Sequence, residues 1–195
     1  MSRFRLVAQT PPKPSDPSIA IAASRAGDLG VLNLELTDDL LEARRLITSM
    51  VRHAGRETGV KLDSARHGLA AQVLGDLPKT VRVVIFTTHD PRALPELIPQ
   101  LQAAGHEVWL EVTSLEEGRL GAKWDVDGLI AKGNEAGGWV AEETTFILLQ
   151  RLKAEIDVPV YAHGGIGTHT AAACAAAGAA GVVLDAQLAL TRESM

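Results

Sequence analysis

Asp127-Gly-Leu-Ile-Ala-Lys-Gly-Asn-Glu-Ala-Gly-Gly-Trp139 begins as a short apolar strand and runs into a pair of glycines. Further on, Val158-Pro-Val-Tyr-Ala-His-Gly-Gly-Ile-Gly167 repeats that plan, and Gly178-Ala-Ala-Gly-Val-Val-Leu-Asp185 supplies a third strand. Helix-length segments separate the three. Strands and helices alternating in this way build a parallel β/α protein. Glycines after successive strands let a ligand approach the backbone. In (β/α)8 barrels the loops after strands seven and eight often hold a phosphate. The pattern points to a barrel that binds, or descends from one that bound, a phosphorylated cofactor.

Working outward from these blocks, eight strand-then-helix units account for the chain. Strands are read at Arg5–Gln9, Gly30–Glu35, Gly59–Asp63, Val81–Thr87, Glu107–Thr113, Gly128–Lys132, Val158–His163 and Gly181–Leu184. Helices are read at Ile19–Ala26, Asp39–His53, Arg66–Gly75, from Asp90-Pro91 to Gly105, at Leu115–Ala122, Glu142–Ile156 and Thr168–Ala177. Thr37 and Asp38 offer an N-cap to the second helix, and Pro91 suits a first helical position. An open dinucleotide-binding sheet would want an early GxGxxG, and the sequence has none. The expected fold is therefore α/β, a single compact (β/α)8 TIM barrel over residues 1–195. About ten residues follow the eighth strand, so the last helix is expected to be short or missing. On this reading the chain is an excised N-terminal module of something longer.

The 195 residues fit one domain with a sizeable core, although about 250 is typical for this barrel. A net charge of −5 argues against nonspecific nucleic-acid binding. No apolar run reaches the roughly 18 residues that span a bilayer, and the N-terminal apolar run is too short for a signal peptide. Cys174, the one cysteine, lies in an alanine-rich helix pattern, which rules out an internal disulfide and gives no ground for a zinc site. These features read as a cytoplasmic protein with neither nucleic acid nor membrane as partner.

Alternation sends every second strand side chain into a barrel. Val108, Leu110 and Val112 then face the helices, while Trp109 and Glu111 face inward. Val60 and Leu62 face out, so Lys61 and Asp63 face in; the same parity turns Asn33, Glu35 and Lys132 inward. These charges should converge at the C-terminal mouth, where barrel active sites sit. Lys61, Glu111, Lys132 and His163 are the candidate catalytic residues. Either lysine could hold a ligand phosphate, polarise a carbonyl or, with a depressed pKa, act as nucleophile. Glu111 could serve as a general base, and His163 as an acid or base beside Gly164-Gly165. The competing account is an internal ion-pair network in a barrel that substrate no longer enters, because buried lysines are rare unless paired. Trp139 could stack on a planar ligand or plug an emptied channel. For His89 a loop position without a role is expected, and for Glu135 a loop-fixing acceptor.

Ile19-Ala-Ile-Ala-Ala-Ser-Arg-Ala-Gly-Asp-Leu-Gly-Val-Leu32, Lys132-Gly-Asn-Glu-Ala-Gly-Gly138, His163-Gly-Gly-Ile166 and Leu184-Asp-Ala-Gln-Leu-Ala-Leu-Thr-Arg-Glu-Ser194 together resemble the nitronate monooxygenase (2-nitropropane dioxygenase-like) family. That family includes FMN-dependent enoyl reductases of polyketide and fatty acid synthases. The resemblance implies an FMN-dependent oxidoreductase acting on a small molecule or acyl thioester. It also implies a flavin site formed by Lys132, Gly133, Gly137, Gly138, Gly164, Gly165, Asp185 and Ala186. The chain departs from the family at four places: Lys61 stands where an Asn is common, Lys132 replaces a Gln, Trp139 a catalytic His, and Asp185-Ala186 a phosphate-binding Gly-Thr. A carboxylate facing a phosphate is repulsive unless it turns away or a cation intervenes. Two alternatives follow. One is a flavin-free degenerate barrel that docks with other domains of a larger synthase. The other is lysine-based chemistry on a phosphorylated or carbonyl substrate.

Overall fold

Short runs of valine, leucine and isoleucine bounded by glycine, proline and aspartate form eight parallel strands, because an all-parallel sheet is apolar on the face its helices cover. The computed structural model describes residues 4–14 and 16–194, and of the helical residue His67 only the backbone. The strands are β1 (Arg5–Gln9), β2 (Leu29–Asn33), β3 (Thr58–Leu62), β4 (Val81–Thr87), β5 (Glu107–Val112), β6 (Gly128–Lys132), β7 (Val160–His163) and β8 (Gly181–Leu184). They close in sequence order, with β8 pairing back onto β1 through Leu6 and Val182. Between them lie α1 (Ser18–Ala26), α2 (Leu40–His53), α3 (His67–Gly75), α4 (Leu94–Ala103), α5 (Leu115–Lys123), α6 (Thr145–Glu155) and α7 (Thr168–Ala176). The molecule is a single (β/α)8 TIM barrel. After β8 the described residues form two 3-10 turns, Ala186–Leu190 and Arg192–Ser194, in place of an eighth α-helix. Residues 1–3, Ser15 and Met195 lie outside the described residues. No helix among the described residues is long and apolar enough to cross a membrane.

Several element boundaries differ from the sequence reading, and hydrogen bonding explains them. Asp39, not Thr37 or Asp38, caps α2, accepting from Leu41 N at 2.8 Å and Glu42 N at 3.3 Å; Asp38 pairs with Arg66 instead. β2 stops at Asn33, whose side-chain oxygen takes Glu35 N at 3.0 Å and turns the chain. Pro91 opens a 3-10 turn capped by Asp90, and α4 follows it. α6 starts at Thr145 rather than Glu142, because Asn134 holds the carbonyls of Glu142 and Glu143 in the loop. β7 starts at Val160 rather than Val158: Pro159 has no N–H to give the ladder, although its carbonyl still accepts from Leu129 N at 2.8 Å.

Two apolar layers result. Val60, Leu62, Val84, Phe86, Val108, Leu110 and Val112 pack outward against the helices. Val7, Leu29, Val31, Val83, Ile85, Trp109, Ile130, Tyr161 and Val183 fill the barrel, as expected of a packed core rather than a pore. The rings of Trp109 and Tyr161 stack at 4.1 Å. The N-terminal end is shut by Arg5 and Arg82 bonded to Glu57 and Glu107, with Arg5 lying over the Trp109 ring at 5.3 Å.

Helix α1 lies so close to β2 that a Cβ on Gly30 would sit 1.9 Å from the Ala20 carbonyl oxygen. The backbone of α1 would have to move to admit it. Gly30→Ala is therefore expected to lower stability by about 1–3 kcal/mol, the usual cost of overpacking. Urea unfolding measures this; an unchanged midpoint would contradict the contact.

Candidate functional site

Four side chains from four strands meet below the C-terminal mouth. Lys61 points inward from β3, Glu111 from β5, Lys132 from β6 and His163 from β7. They are 0%, 4%, 3% and 1% exposed, too little for direct contact with solvent-borne substrate in this arrangement. Lys61 Nζ donates to Glu111 Oε1 at 2.8 Å and to Glu35 Oε2 at 2.8 Å. Lys132 Nζ donates to the same Glu111 oxygen at 2.9 Å. His163 Nδ1 approaches Glu111 Oε2 at 3.4 Å, an ion-pair contact short of full hydrogen-bond geometry. On its other side His163 Nε2 lies 2.8 Å from Asp185 Oδ2, just beyond β8. With His163 protonated, three cations face three carboxylates.

Burial and pairing oppose each other at every member. Burial alone would push the Glu111 carboxyl up, but Lys61, His163 and Lys132 together hold it well below the ordinary range. Burial would lower Lys61, yet Glu111 and Glu35 outweigh it and raise its pKa. His163 follows the same pattern: burial lowers it, while Asp185 and Glu111 raise it above the ordinary value. Burial favours the neutral acid at Asp185, but the hydrogen bond and charge of His163 hold its pKa down. Lys61 is thus kept as an ammonium, which removes it as a nucleophile. Glu111 is kept as an anion, with Oε1 taken by both lysines and its pKa held low, which leaves it little capacity as a base.

Strand alternation predicted the inward positions of Lys61, Glu111 and Lys132, and the structure brings them together with His163. Asp63 does not join them; it accepts from Thr87 Oγ1 at 2.9 Å and faces His89 at 3.2 Å. His89 lies in the loop after β4, as expected, and is tethered there by Asp63. Trp139 is 65% exposed, with its ring edge-on to His89 at 5.5 Å, so it does not plug the barrel.

The glycines serve the protein itself. A Cβ on Gly133 would lie 2.0 Å from Thr145 N, and one on Gly164, at φ +121°, would lie 2.6 Å from Thr145 Oγ1. Thr145, the first residue of α6, is wedged between the two loops. Its hydroxyl stands 2.9 Å from Glu135 Oε2 and 3.0 Å from the His163 carbonyl oxygen. Gly165 backs onto Glu135. Gly137 and Gly167 open on free space, and Gly138 looks toward Lys132. A cleft of about 260 Å³ beside these loops is lined by Glu135, Thr145, Phe146, Ile166, Ala173 and Cys174 and does not reach Lys132 or His163.

The end of β8 does not fit the phosphate of FMN. The Asp185 N–H is already taken by Gln187 Oε1 at 3.2 Å, and Gln187 Nε2 donates to the Ile166 carbonyl at 3.2 Å. The Ala186 N–H is turned to the Asp185 carboxylate. Donors that a phosphate would need are satisfied internally, and a carboxylate stands among them. Sequence reasoning identified Asp185 but missed Gln187 and Thr145, whose roles depend on reach across loops and leave no local signature.

Comparison with known proteins follows from this geometry. The nitronate monooxygenase family profile matches residues 35–195. A (3aS,4S,5R,7aS)-5-hydroxy-7a-methyl-1-oxo-octahydro-1H-indene-4-carboxyl-CoA dehydrogenase of Rhodococcus jostii is 31% identical over 180 residues, 91% of this chain and 50% of its own. FabK from Thermotoga maritima superposes with a TM-score of 0.86 at 26% identity, covering 97% of this chain and 60% of its own. The nitroalkane oxidase of Streptomyces ansochromogenes gives 0.77 at 26% identity, over 92% and 64%. The chain therefore spans half of the curated relative's length.

Removing one charge from the network should strand others in a dry interior. Glu111→Gln is expected to cost about 3–5 kcal/mol, the usual penalty for breaking a buried ion pair; urea unfolding reads it, and a loss below about 1 kcal/mol would mean that water reaches the lysines. The His163–Asp185 pair carries a pH signature. The folded pKa of His163 is raised, so its stabilisation is complete below about pH 6.5 and is lost as pH rises through the folded value. The folded pKa of Asp185 is depressed, so its share is present above about pH 3.9 and is lost as pH falls through the folded value. The stability gap between the unmodified protein and His163→Gln should therefore be wider at pH 6 than at pH 9. A gap that widens toward pH 9 would contradict the assignment of charge.

Proposed function

This chain belongs to the nitronate monooxygenase family, and from that premise we propose that it is an oxidoreductase-type barrel sealed against the family's flavin, acting as a structural or docking module of a larger acyl-thioester synthase. One observation carries the reading: Asp185 and Gln187 fill the end of β8, where a Gly-Thr pair would meet a phosphate, and Asp185 is ion-paired to His163. The buried network beneath them supports it. Its lysines and carboxylates neutralise one another, and none is free to transfer a proton or attack a carbonyl. Lysine-based chemistry at Lys61 is disfavoured for the same reason, since two carboxylates hold its ammonium form.

Trp139 supports the same reading. The resemblance would have a catalytic histidine after the glycine pair, and an indole can neither accept nor deliver a proton at neutral pH. The synthase context rests on the family's occurrence in such assemblies and on a relative whose substrate is a coenzyme A thioester. In that setting the barrel would contribute a rigid body and a surface, with the catalytic steps residing in neighbouring domains.

A second reading, FMN-dependent oxidation or reduction of an acyl thioester, is favoured by that dehydrogenase relative. FMN would then supply hydride transfer. Lys132, Gly137, Gly138 and Gly165 would be the residues beside it, with Asp185 displaced from His163. Titration of FMN into the purified protein, followed by flavin fluorescence, separates the two. A sealed barrel is expected to be colourless as isolated and to show no saturable quenching at micromolar FMN. A dissociation constant of about 1 μM or below, roughly 8 kcal/mol of binding, would overturn the sealed reading in favour of the enzyme.

A further inference from the structure

The seal has a specific chemistry. We propose that Asp185 is a tethered counter-ion occupying a latent oxyanion site built on His163, and that removing its carboxylate opens that site to a phosphate group. The proposal deepens the sealed-barrel reading and rests on it.

His163 is almost fully buried, and its two nitrogens face two carboxylates, Glu111 inside the barrel and Asp185 at the mouth. Glu111 is already engaged by Lys61 and Lys132. Asp185 is a quarter exposed and makes no ion pair with either lysine among the described residues. It is the member of the network closest to solvent and the one a dissolved anion can replace. Without it, two lysines and the imidazolium face only Glu35 and Glu111. While His163 is protonated, one positive charge is then left uncompensated at the end of β7; an anion can answer it, and loss of the imidazole proton is the competing outcome.

The hydrogen bonds have the same complementarity. His163 Nε2 points at a carboxylate oxygen at 2.8 Å, and Asp185 N points at the amide oxygen of Gln187 at 3.2 Å. Two protein oxygens thus sit where two N–H donors are aimed, one at the end of β7 and one at the end of β8. A tetrahedral oxyanion presents several oxygens on one centre: one can meet His163 Nε2 where the carboxylate stood, and another can meet Asp185 N once Gln187 Oε1 gives way. Gln187 also clips this turn to the Ile166 carbonyl in the glycine loop. The plug is therefore a short hinged segment, Asp185 to Gln187, with one ionic contact and one amide clip.

The test uses the full chain and inorganic phosphate as the probe, with the backbone amide signals of Gly164 and of residues 185–187 followed by NMR. In the unmodified protein phosphate should leave those signals in place. In Asp185→Gly they should move saturably, with an affinity at least tenfold higher. The response should vanish when His163→Gln is added. If Asp185→Gly does not fold, Asp185→Asn removes the charge and keeps the shape, and it should show the same gain in smaller measure. Folded variants with no gain would overturn the proposal, as would a gain that survives His163→Gln, which marks an adventitious ion only. These outcomes are separate from the flavin titration of the unmodified chain. Tight FMN binding there overturns the sealed barrel. An Asp185 variant that ignores phosphate, in a chain that also ignores FMN, overturns only the tethered counter-ion.

Discussion

The carboxylate of Glu111 is the constraint on which the upper barrel depends. It is almost without solvent contact and accepts from Lys61 and Lys132 through one oxygen while His163 stands at the other. Its three partners come from β3, β6 and β7, so this one group ties together strand ends that are far apart in the chain. A charge in such a place is tolerated only when it is paired and hydrogen-bonded. The positions of Lys61, Lys132 and His163 follow from that requirement, and those of Glu35 and Asp185 follow from theirs. The apolar layer below, with Trp109 stacked on Tyr161, keeps water from reaching the network from the other end.

This arrangement uses family features for a different purpose. Glycines after β6 and β7 let a backbone come close to something, and here the something is Thr145. The loops that would cradle a ligand are packed on one another through Thr145 and Glu135, and the turn after β8 is clipped to them by Gln187. A carboxylate paired with a buried imidazolium at the end of β8 is a stable local solution that competes with any phosphate for the same donors. Family membership rests on the fold, which is retained by its packing, while a ligand site persists only if its donors stay free.

Most of the fold was legible in the sequence. Strands β1, β4, β6 and β8 run between the residues expected of them, because glycine, proline and aspartate bracket short apolar runs there. The inward parity of Lys61, Trp109, Glu111 and Lys132 followed from strand alternation, as did the outward parity of Val60, Leu62 and Leu110. Where the reading failed, a single hydrogen bond decided a boundary that composition leaves open. Asp39 rather than Asp38 captured the free N–H groups of α2, and Asn134 withheld Glu142 and Glu143 from α6.

The sequence by itself determined the barrel, the order of its elements and the set of charges that point into it, since these depend on periods of two and 3.6 residues that are written locally. It also marked Asp185 as out of place for a phosphate. Only the tertiary structure decided which carboxylate meets which cation, that Asp63 turns away to Thr87 and His89, and that the glycine loops close on Thr145. Those outcomes depend on barrel closure, which brings side chains from strands dozens of residues apart to within hydrogen-bonding distance. A long side chain such as Gln187 or Lys132 can reach several partners, and which one it takes is set by distances that exist only after β8 has paired with β1.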